Sequence, residues 1–311
     1  MTTPGSLTVH PVPSMGAEDV VVAPDGTVYT GTEDGVVWAL DPATGSARRI
    51  ADTGGRPLGI ELLGDDLLVC DAKRGVLRVD PASGAVEVLV GEVDGAPMRF
   101  CNNAAVATDG TVWFSDSSLH FGVEQWKDDF VQDTRTGRLL RRDPDGTVTV
   151  ALEGLRFSNG VALAADESYV AVAECRGRTV VRLWLTGPRA GQRDHLVTDL
   201  PGYPDNISRG TDGLIWVAVA SPVDGVVERL GTAPLALRRV VTKVPEALQP
   251  KPRHTIRVQA FDDDGRLVHD LDLAQPERGP GYHMVTGVRE HDGRVWMGSL
   301  HEPSVAVYDL T

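Results

Sequence analysis

What constrains this chain most is a repeat. An apolar run, a turn built on Asp-Gly or a close equivalent, and a second apolar run recur six times. The clearest copies start at Glu18 and Asn102 and turn at Asp25-Gly26 and Asp109-Gly110. Weaker copies start near Leu58 and Asn159, and two more start at Asp205 and Val285, turning at Asp212-Gly213 and Asp292-Gly293. β-Branched and aromatic residues flank turns whose glycine tolerates positive φ, which is the pattern of a β-hairpin. In several copies a third strand follows and ends in a second turn, at Asp41-Pro42, Asp80-Pro81 or Asp143-Pro144.

Three to four short strands per unit, spaced about 40 to 57 residues apart over most of the chain, predict an all-β fold. The expected architecture is a six-bladed β-propeller, one domain spanning 1–311. Helical periodicity is nearly absent, which excludes α/β layouts. The last unit offers only three strands, so the segment at 7–12 is expected to supply the fourth and close the ring. Closure removes the exposed edge of an open sheet. Two insertions break the rhythm, at about 116–136 and 221–253, each between the second and third strands of its unit. The second contains Leu-Ala-Leu-Arg-Arg-Val-Val from Leu235, read as a short amphipathic helix. Long loops on a rigid scaffold tend to cover a binding face, so both are expected to act as lids.

Charge narrows the choice of partner. A formal net charge of −14 argues against nucleic acid and against anionic membrane surfaces, both of which need basic patches. It suits a protein that concentrates cations and binds a small-molecule substrate. Cys70, Cys101 and Cys175 are odd in number and lack metal or redox spacing, so they read as small core residues in a reducing compartment. With no signal-peptide pattern at the start and no apolar run of ~18 residues, a cytoplasmic location is expected. Oligomeric state has no signature in the chain.

The chemistry emerges when the units are aligned on their turn Asp. Seven residues before it stand Glu18, Asn102, Asn159 and Asp205, with Leu58 (or Gly59, counting from Asp66) and Val285 in the second and sixth units. These positions open the innermost strands, which surround the axis, so the four oxygen-bearing side chains are expected to converge at one mouth of the channel. Oxygen-only ligands without Cys or His suit a hard cation. Ca²⁺ is favoured over Mg²⁺, Mn²⁺ and Zn²⁺ because it accepts more protein ligands in looser geometry. Asn206, beside Asp205, is a fifth candidate ligand. Asn103 is less favoured than Asn102, being one residue out of phase and so assigned to the other face.

A family resemblance rests on motifs in order along the chain. They are Gly-Ala-Glu-Asp at 16–19, Phe-Cys-Asn-Asn at 100–103, Val-Trp-Phe-Ser-Asp-Ser-Ser at 112–118 and Arg-Phe-Ser-Asn-Gly-Val at 156–161. Pro-Gly-Tyr-Pro-Asp-Asn-Ile at 201–207 and the run at 290–303 complete the set. The chain resembles strictosidine synthase-like proteins, particularly the adipocyte plasma membrane-associated group, and more distantly regucalcin-type gluconolactonases and paraoxonases. The resemblance implies a propeller with a Ca²⁺-type metal on Glu18, Asn102, Asn159 and Asp205, and in the paraoxonase pattern on Asn206 as well. Relatives of known chemistry are mostly metal-dependent lactonases and esterases. The condensing enzyme that names the family uses a Glu where this chain has Thr286, so that ring closure is not expected.

The expected function is thus hydrolysis of lactones or small esters, a cation polarising the carbonyl and a base activating water. Candidate bases are Asp205, His120, His283 and His301. Ser117 and Ser118 lack a nucleophile elbow, so covalent catalysis is not favoured. The rival readings are a propeller that binds a small molecule or partner without chemistry, and a lyase, isomerase or condensing enzyme of a biosynthetic pathway.

Overall fold

A computed structural model describes residues 7–244, 255–273 and 281–310. Six four-stranded antiparallel sheets form six blades. Their first strands are Val20–Val22, Pro57–Leu63, Cys101–Val106, Ser158–Leu163, Gly202–Arg209 and Val285–His291. Each of these packs against the first strand of the next blade, and the sixth packs against the first, so they ring the axis. The segment Leu7–Pro11 pairs antiparallel with Ser304–Asp309, Leu7 opposite Tyr308 and Pro11 opposite Ser304. It is the fourth strand of the sixth blade, and the ring closes as expected from the short last repeat.

Both faces of a blade are covered by neighbouring blades, which explains why the middle strands read as unbroken apolar runs rather than alternating ones. Tyr169–Glu174 in the fourth blade is buried at every residue. Leu139 and Leu155 of the third blade meet Val161, Val170, Val172 and Val181 of the fourth in one such seam. Each of these buried aliphatic side chains contributes roughly 1.5–3 kcal/mol. The three cysteines are free and buried in the core.

The inner strands depart from regular pairing near their starts. Register shifts fall between Pro57 and Gly59, Cys101 and Ala104, Ser158 and Val161, Pro204 and Ile207, and Val285 and Val288. A bulge of this kind breaks the two-residue alternation and re-aims side chains. Asn103 is the example, and the assignment of its side chain to the opposite face is corrected here. Its amide spans the ring, Nδ2 donating to Asp19 Oδ2 at 3.0 Å and Oδ1 accepting from Val161 N at 2.8 Å. The aligned position of the sixth blade also moves by one, from Val285 to Thr286. Its inner hairpin pairs His291 with Arg294 across a two-residue turn, whereas the fourth blade pairs Leu163 with Val170.

One layer below the aligned positions, polar residues alternate with glycine around the ring: Asp19, Gly59, Asn103, Gly160, Asn206, Gly287. A Cβ on Gly59 would sit 2.8 Å from Asn103 Nδ2, and one on Gly287 would sit 2.8 Å from Asp19 Oδ1. On Gly160 it would meet Ile207 N at 2.0 Å and Asn206 Cα at 2.5 Å. Gly160→Ala is therefore expected to destabilise the fold by about 3 kcal/mol or more, because the obstacle is backbone that cannot step aside. Chemical denaturation should show a lower midpoint at unchanged slope.

Both insertions carry helices. Residues 117–136 of the third blade contain α1, Trp126–Gln132. The fifth-blade insertion contains α2, Gly225–Gly231, and α3, Leu235–Val241, the latter where the amphipathic run lies. Positions 245–254 of that insertion lie outside the described residues. α1 packs against both α2 and α3 over one end of the ring. Among the described residues, no helix is long and apolar enough to cross a membrane.

Candidate metal centre and its cavity

Glu18, Asn102, Asn159 and Asp205 come together on a single cavity at the end of the ring covered by α1, α2 and α3. They stand at corresponding points of four inner strands, so the repeat itself brings them to one level of the axis. Leu58 occupies the same position in the second blade and also lines the cavity. In the sixth, the fully buried Thr286 donates its hydroxyl to Glu18 O at 2.9 Å. The side chain at the condensing-enzyme position is thus spent on holding the Glu18 backbone.

Several oxygens here are buried without a hydrogen bond. Glu18, Asn102 and Asn159 are 5%, 3% and 3% exposed, yet Glu18 Oε2, Asn102 Oδ1 and Asn159 Oδ1 accept no hydrogen bond. Asn102 is oriented by its other end, Nδ2 donating to Ser117 Oγ at 3.0 Å, and Ser117 in turn donates to Ser158 O at 2.6 Å. A buried acceptor left empty costs ~1–3 kcal/mol, and several converging acceptors cost more unless a cation collects them. Asn206 does not line the cavity. It lies in the layer beneath, 1% exposed, and neither its Oδ1 nor its Nδ2 has a partner, whereas Asp19 and Asn103 in that layer are bonded.

Electrostatics add to the case. Burial pushes the Glu18 carboxyl up from its ordinary 4.5 to about 7, against the pull of Arg56, whose Nη2 lies 3.6 Å from Oε2. Asp205 is raised well above the usual range by burial and then by the charge of Glu18, with a bond from Asn159 opposing. Two carboxyls that resist ionising together, beside two amide oxygens that accept no hydrogen bond, match a divalent hard cation. Among the described residues no group of three or more His, Cys, Asp or Glu could hold a metal, so any cation here depends on amide oxygens. That donor set fits Ca²⁺ or Mg²⁺ and argues against Zn²⁺.

Of the four candidate bases, only Asp205 lines the cavity. His120 is exposed, with its ring edge-on to Phe121. His283 Nδ1 lies 2.5 Å from Glu302 Oε1, and its ring is 5.9 Å from that of the exposed His301. Their chain neighbours Met284 and Leu300 line the cavity in their place. Sequence spacing locates these histidines near the mouth but not the direction of their side chains.

Most of the rest of the wall is apolar, with Lys127, Ser221, Asp224 and Thr242 as its polar members. Phe130 of α1 meets Tyr203 edge-on at 4.9 Å and Phe157 at 6.1 Å, and Phe157 meets Phe100 at 5.4 Å. A polar latch unseen in the sequence ties the lid to this cluster. The buried Arg176 lies 5.7 Å over the Phe130 ring and donates to Glu228 Oε1 at 2.7 Å and to Val227 O at 3.2 Å. The Tyr203 hydroxyl donates to the same Glu228 oxygen at 3.0 Å. Arg238 of α3 donates to Gln132 O of α1 at 2.6 Å. Arg176–Glu228 and Arg238–Gln132 join different blades, Tyr203–Glu228 ties the fifth blade to its own insertion, and no local pattern announces them.

Fold and site together define a β-propeller with an oxygen-lined centre beneath a helical lid. The SMP-30/Gluconolactonase/LRE-like region matches residues 32–245, and a strictosidine synthase-like N-terminal region matches residues 12–40. Protein STRICTOSIDINE SYNTHASE-LIKE 10 of Arabidopsis thaliana is 31% identical over 99% of this chain and 88% of its own length. The adipocyte plasma membrane-associated protein of Rattus norvegicus is 31% identical over 95% of this chain and 83% of its own. A gluconolactonase of Xanthomonas campestris superposes with a TM-score of 0.71 at 18% identity, covering 99% of this chain and 90% of that one. The calcium-binding protein regucalcin of Agrobacterium tumefaciens does so at 0.66 and 14%, covering 96% and 90%. The chain belongs to the SMP-30/gluconolactonase family of propellers, in its strictosidine synthase-like group.

Proposed function

We propose that this protein is a divalent-cation-dependent hydrolase of lactones or small esters, with Ca²⁺ as its cation. The observation that carries the reading is the pair of buried amide oxygens of Asn102 and Asn159 that accept no hydrogen bond, beside the buried carboxyls of Glu18 and Asp205, at the base of a cavity whose wall is mostly apolar. Family membership supports it, since structural neighbours include a gluconolactonase and a calcium-binding regucalcin. Glu18, Asn102, Asn159 and Asp205 would hold the cation, with Asn206 approaching from the layer beneath. Bound there, the cation supplies Lewis acidity toward a carbonyl oxygen.

The chain's own groups do the remaining work. The aromatic cluster of Phe100, Phe130, Phe157 and Tyr203 excludes bulk water and orients the substrate. Asp205 takes the proton of the attacking water, one of its oxygens being held by Asn159. Among the described residues, Cys175, Ser117 and Ser118 do not suit covalent catalysis. Cys175 lines the cavity, but burial and the charge of Asp205 push its thiol well above its ordinary pKa, so it stays protonated. Ser117 and Ser118 have committed hydroxyls, bonded to Ser158 O and to Asp129 Oδ2.

A second reading, a propeller that binds a small molecule without turning it over, is favoured by one observation. Among the described residues, no histidine lines the cavity. A strictosidine-type condensation has no carboxylate at its position, which Thr286 fills. The test is hydrolysis of a lactone and aryl-ester panel by protein stripped with EGTA and then given Ca²⁺, Mg²⁺, Mn²⁺ or Zn²⁺. Turnover is expected to vanish on stripping and to return with Ca²⁺. A folded protein that binds Ca²⁺ and hydrolyses nothing on the panel would replace this reading with the second.

A further inference from the structure

The cavity's chemistry separates two kinds of lactone. Polyhydroxylated sugar lactones carry several hydroxyls, each needing a hydrogen-bond partner once bound. Alkyl- or aryl-substituted lactones and esters carry one polar end and an apolar body. A wall that serves one fails the other, because an unpaired buried hydroxyl is costly and apolar surface gains nothing from free donors.

Away from Glu18, Asn102, Asn159 and Asp205, the inner wall is built from Leu58, Phe100, Phe130, Phe157, Met284 and Leu300. The lid adds Trp126, Val227 and Leu230, together with Lys127, whose ammonium lies 5.7 Å from the Trp126 ring centroid. The hydroxyls that reach the cavity are already donating inside the protein. Tyr203 donates to Glu228, Ser221 Oγ to Pro222 O at 3.1 Å, and Thr242 Oγ1 to Arg239 O at 3.1 Å. Asp224 Oδ1 caps the start of α2, accepting from Val226 N at 2.7 Å and from Val227 N at 3.1 Å. A row of sugar hydroxyls laid along this wall would lose water and find few partners.

Resting on the reading of this cavity as a lactone or ester site, we infer that its substrates are lipophilic. The carbonyl end lies against the four oxygen-bearing residues, and an alkyl or aryl body fills the aromatic and lid-lined space. Polyhydroxylated lactones are excluded. This separates the chain from the sugar lactonases that share its fold. The lid sets the preference, since Phe130, Val227 and Leu230 all come from the insertions rather than from the repeat.

The test measures binding apart from turnover. Unhydrolysable 5-alkyl-pyrrolidin-2-ones with butyl, hexyl and octyl chains, and gluconolactam as the polyhydroxylated counterpart, are titrated calorimetrically into Ca²⁺-loaded protein. Affinity is expected to rise about fourfold per methylene, the ~0.8 kcal/mol of a buried CH₂, and gluconolactam is expected to bind at least ~10-fold more weakly than the hexyl lactam. Val227→Asn and Leu230→Asn should flatten that slope while leaving Ca²⁺ affinity unchanged, which reports an intact fold. Equal or tighter binding of gluconolactam, a flat alkyl series, or an unaltered slope in both variants overturns the inference. Lactam binding with the expected slope, in a protein that hydrolyses no lactone or ester, upholds the ligand class and sinks the hydrolase reading instead. Turnover of gluconolactone beside a flat lactam series does the reverse.

Discussion

Asp205→Asn is expected to weaken Ca²⁺ binding by about 100-fold or more, because it removes one of the two carboxylates in the candidate centre. The same substitution is expected to raise the melting temperature of the metal-free protein. Asp205 is held well above its ordinary pKa by burial and by the charge of Glu18, so the native chain without a cation carries a repulsion that an amide relieves. Opposite signs in the two states separate a ligand from a residue that merely supports the fold. The measurements are calorimetric Ca²⁺ titration and thermal melts with EGTA or with saturating Ca²⁺. A variant that loses stability equally under both conditions, with Ca²⁺ affinity intact, would remove Asp205 from the centre. Asn159→Ala should also weaken Ca²⁺ binding, with a smaller change in the metal-free melt because no charge is removed.

The second large effect concerns pH. In the metal-free chain Glu18 is raised by burial from 4.5 to about 7, with Arg56 opposing and Asp19 adding to the rise. Its folded-state pKa lies above its unfolded value, so between these limits the native state binds more protons than the unfolded one. Stability is then greatest below about pH 4.5 as far as this group decides it, and falls as pH rises through 7. Glu18 alone accounts for about 3 kcal/mol of that loss. Asp205 shifts in the same direction, and Asp19, raised to about 6, adds to it. Saturating Ca²⁺ should reverse the slope, since the cation binds the ionised carboxylates and competes with protons. Denaturant midpoints from pH 5 to pH 8, with EGTA and with Ca²⁺, should therefore diverge as pH rises. Parallel curves would mean that no cation is held by Glu18.

Much of this molecule was legible in one dimension. A hairpin is a local object, its turn chemistry and flanking β-branched residues lie within a dozen positions, and six copies in tandem leave few ways to bury their apolar faces. The short last repeat and the apolar segment at its other end implied the closing strand, now seen as Leu7–Pro11 on Ser304–Asp309. Equal phase within the repeats carried Glu18, Asn102, Asn159 and Asp205 onto one cavity, since a rotationally repeated fold turns equal phase into equal height along the axis.

Errors began where the repeat is locally irregular. Strict alternation sends the Asn103 side chain to the other face, and the bulge between Cys101 and Ala104 voids that rule. Val285 was aligned by counting from a turn whose hairpin is shorter in the sixth blade, which moves the position to Thr286. The sequence does carry a signal for the layer beneath: Gly59, Gly160 and Gly287 alternate with Asp19, Asn103 and Asn206 one residue past the aligned positions.

The sequence by itself determined the number of blades, the way the ring closes and which oxygen-bearing residues share a level, because each follows from short-range pattern multiplied by symmetry. Only the tertiary structure decided which side chains face the cavity. His120, His283 and His301 do not line it, while Phe130, Val227 and Leu230 reach in from two insertions more than ninety residues apart in the chain. Those insertions belong to no repeat. Their positions are set by the Arg176–Glu228 and Arg238–Gln132 bonds, contacts that exist only once separate blades have been assembled side by side, with Tyr203 holding Glu228 from within the fifth blade.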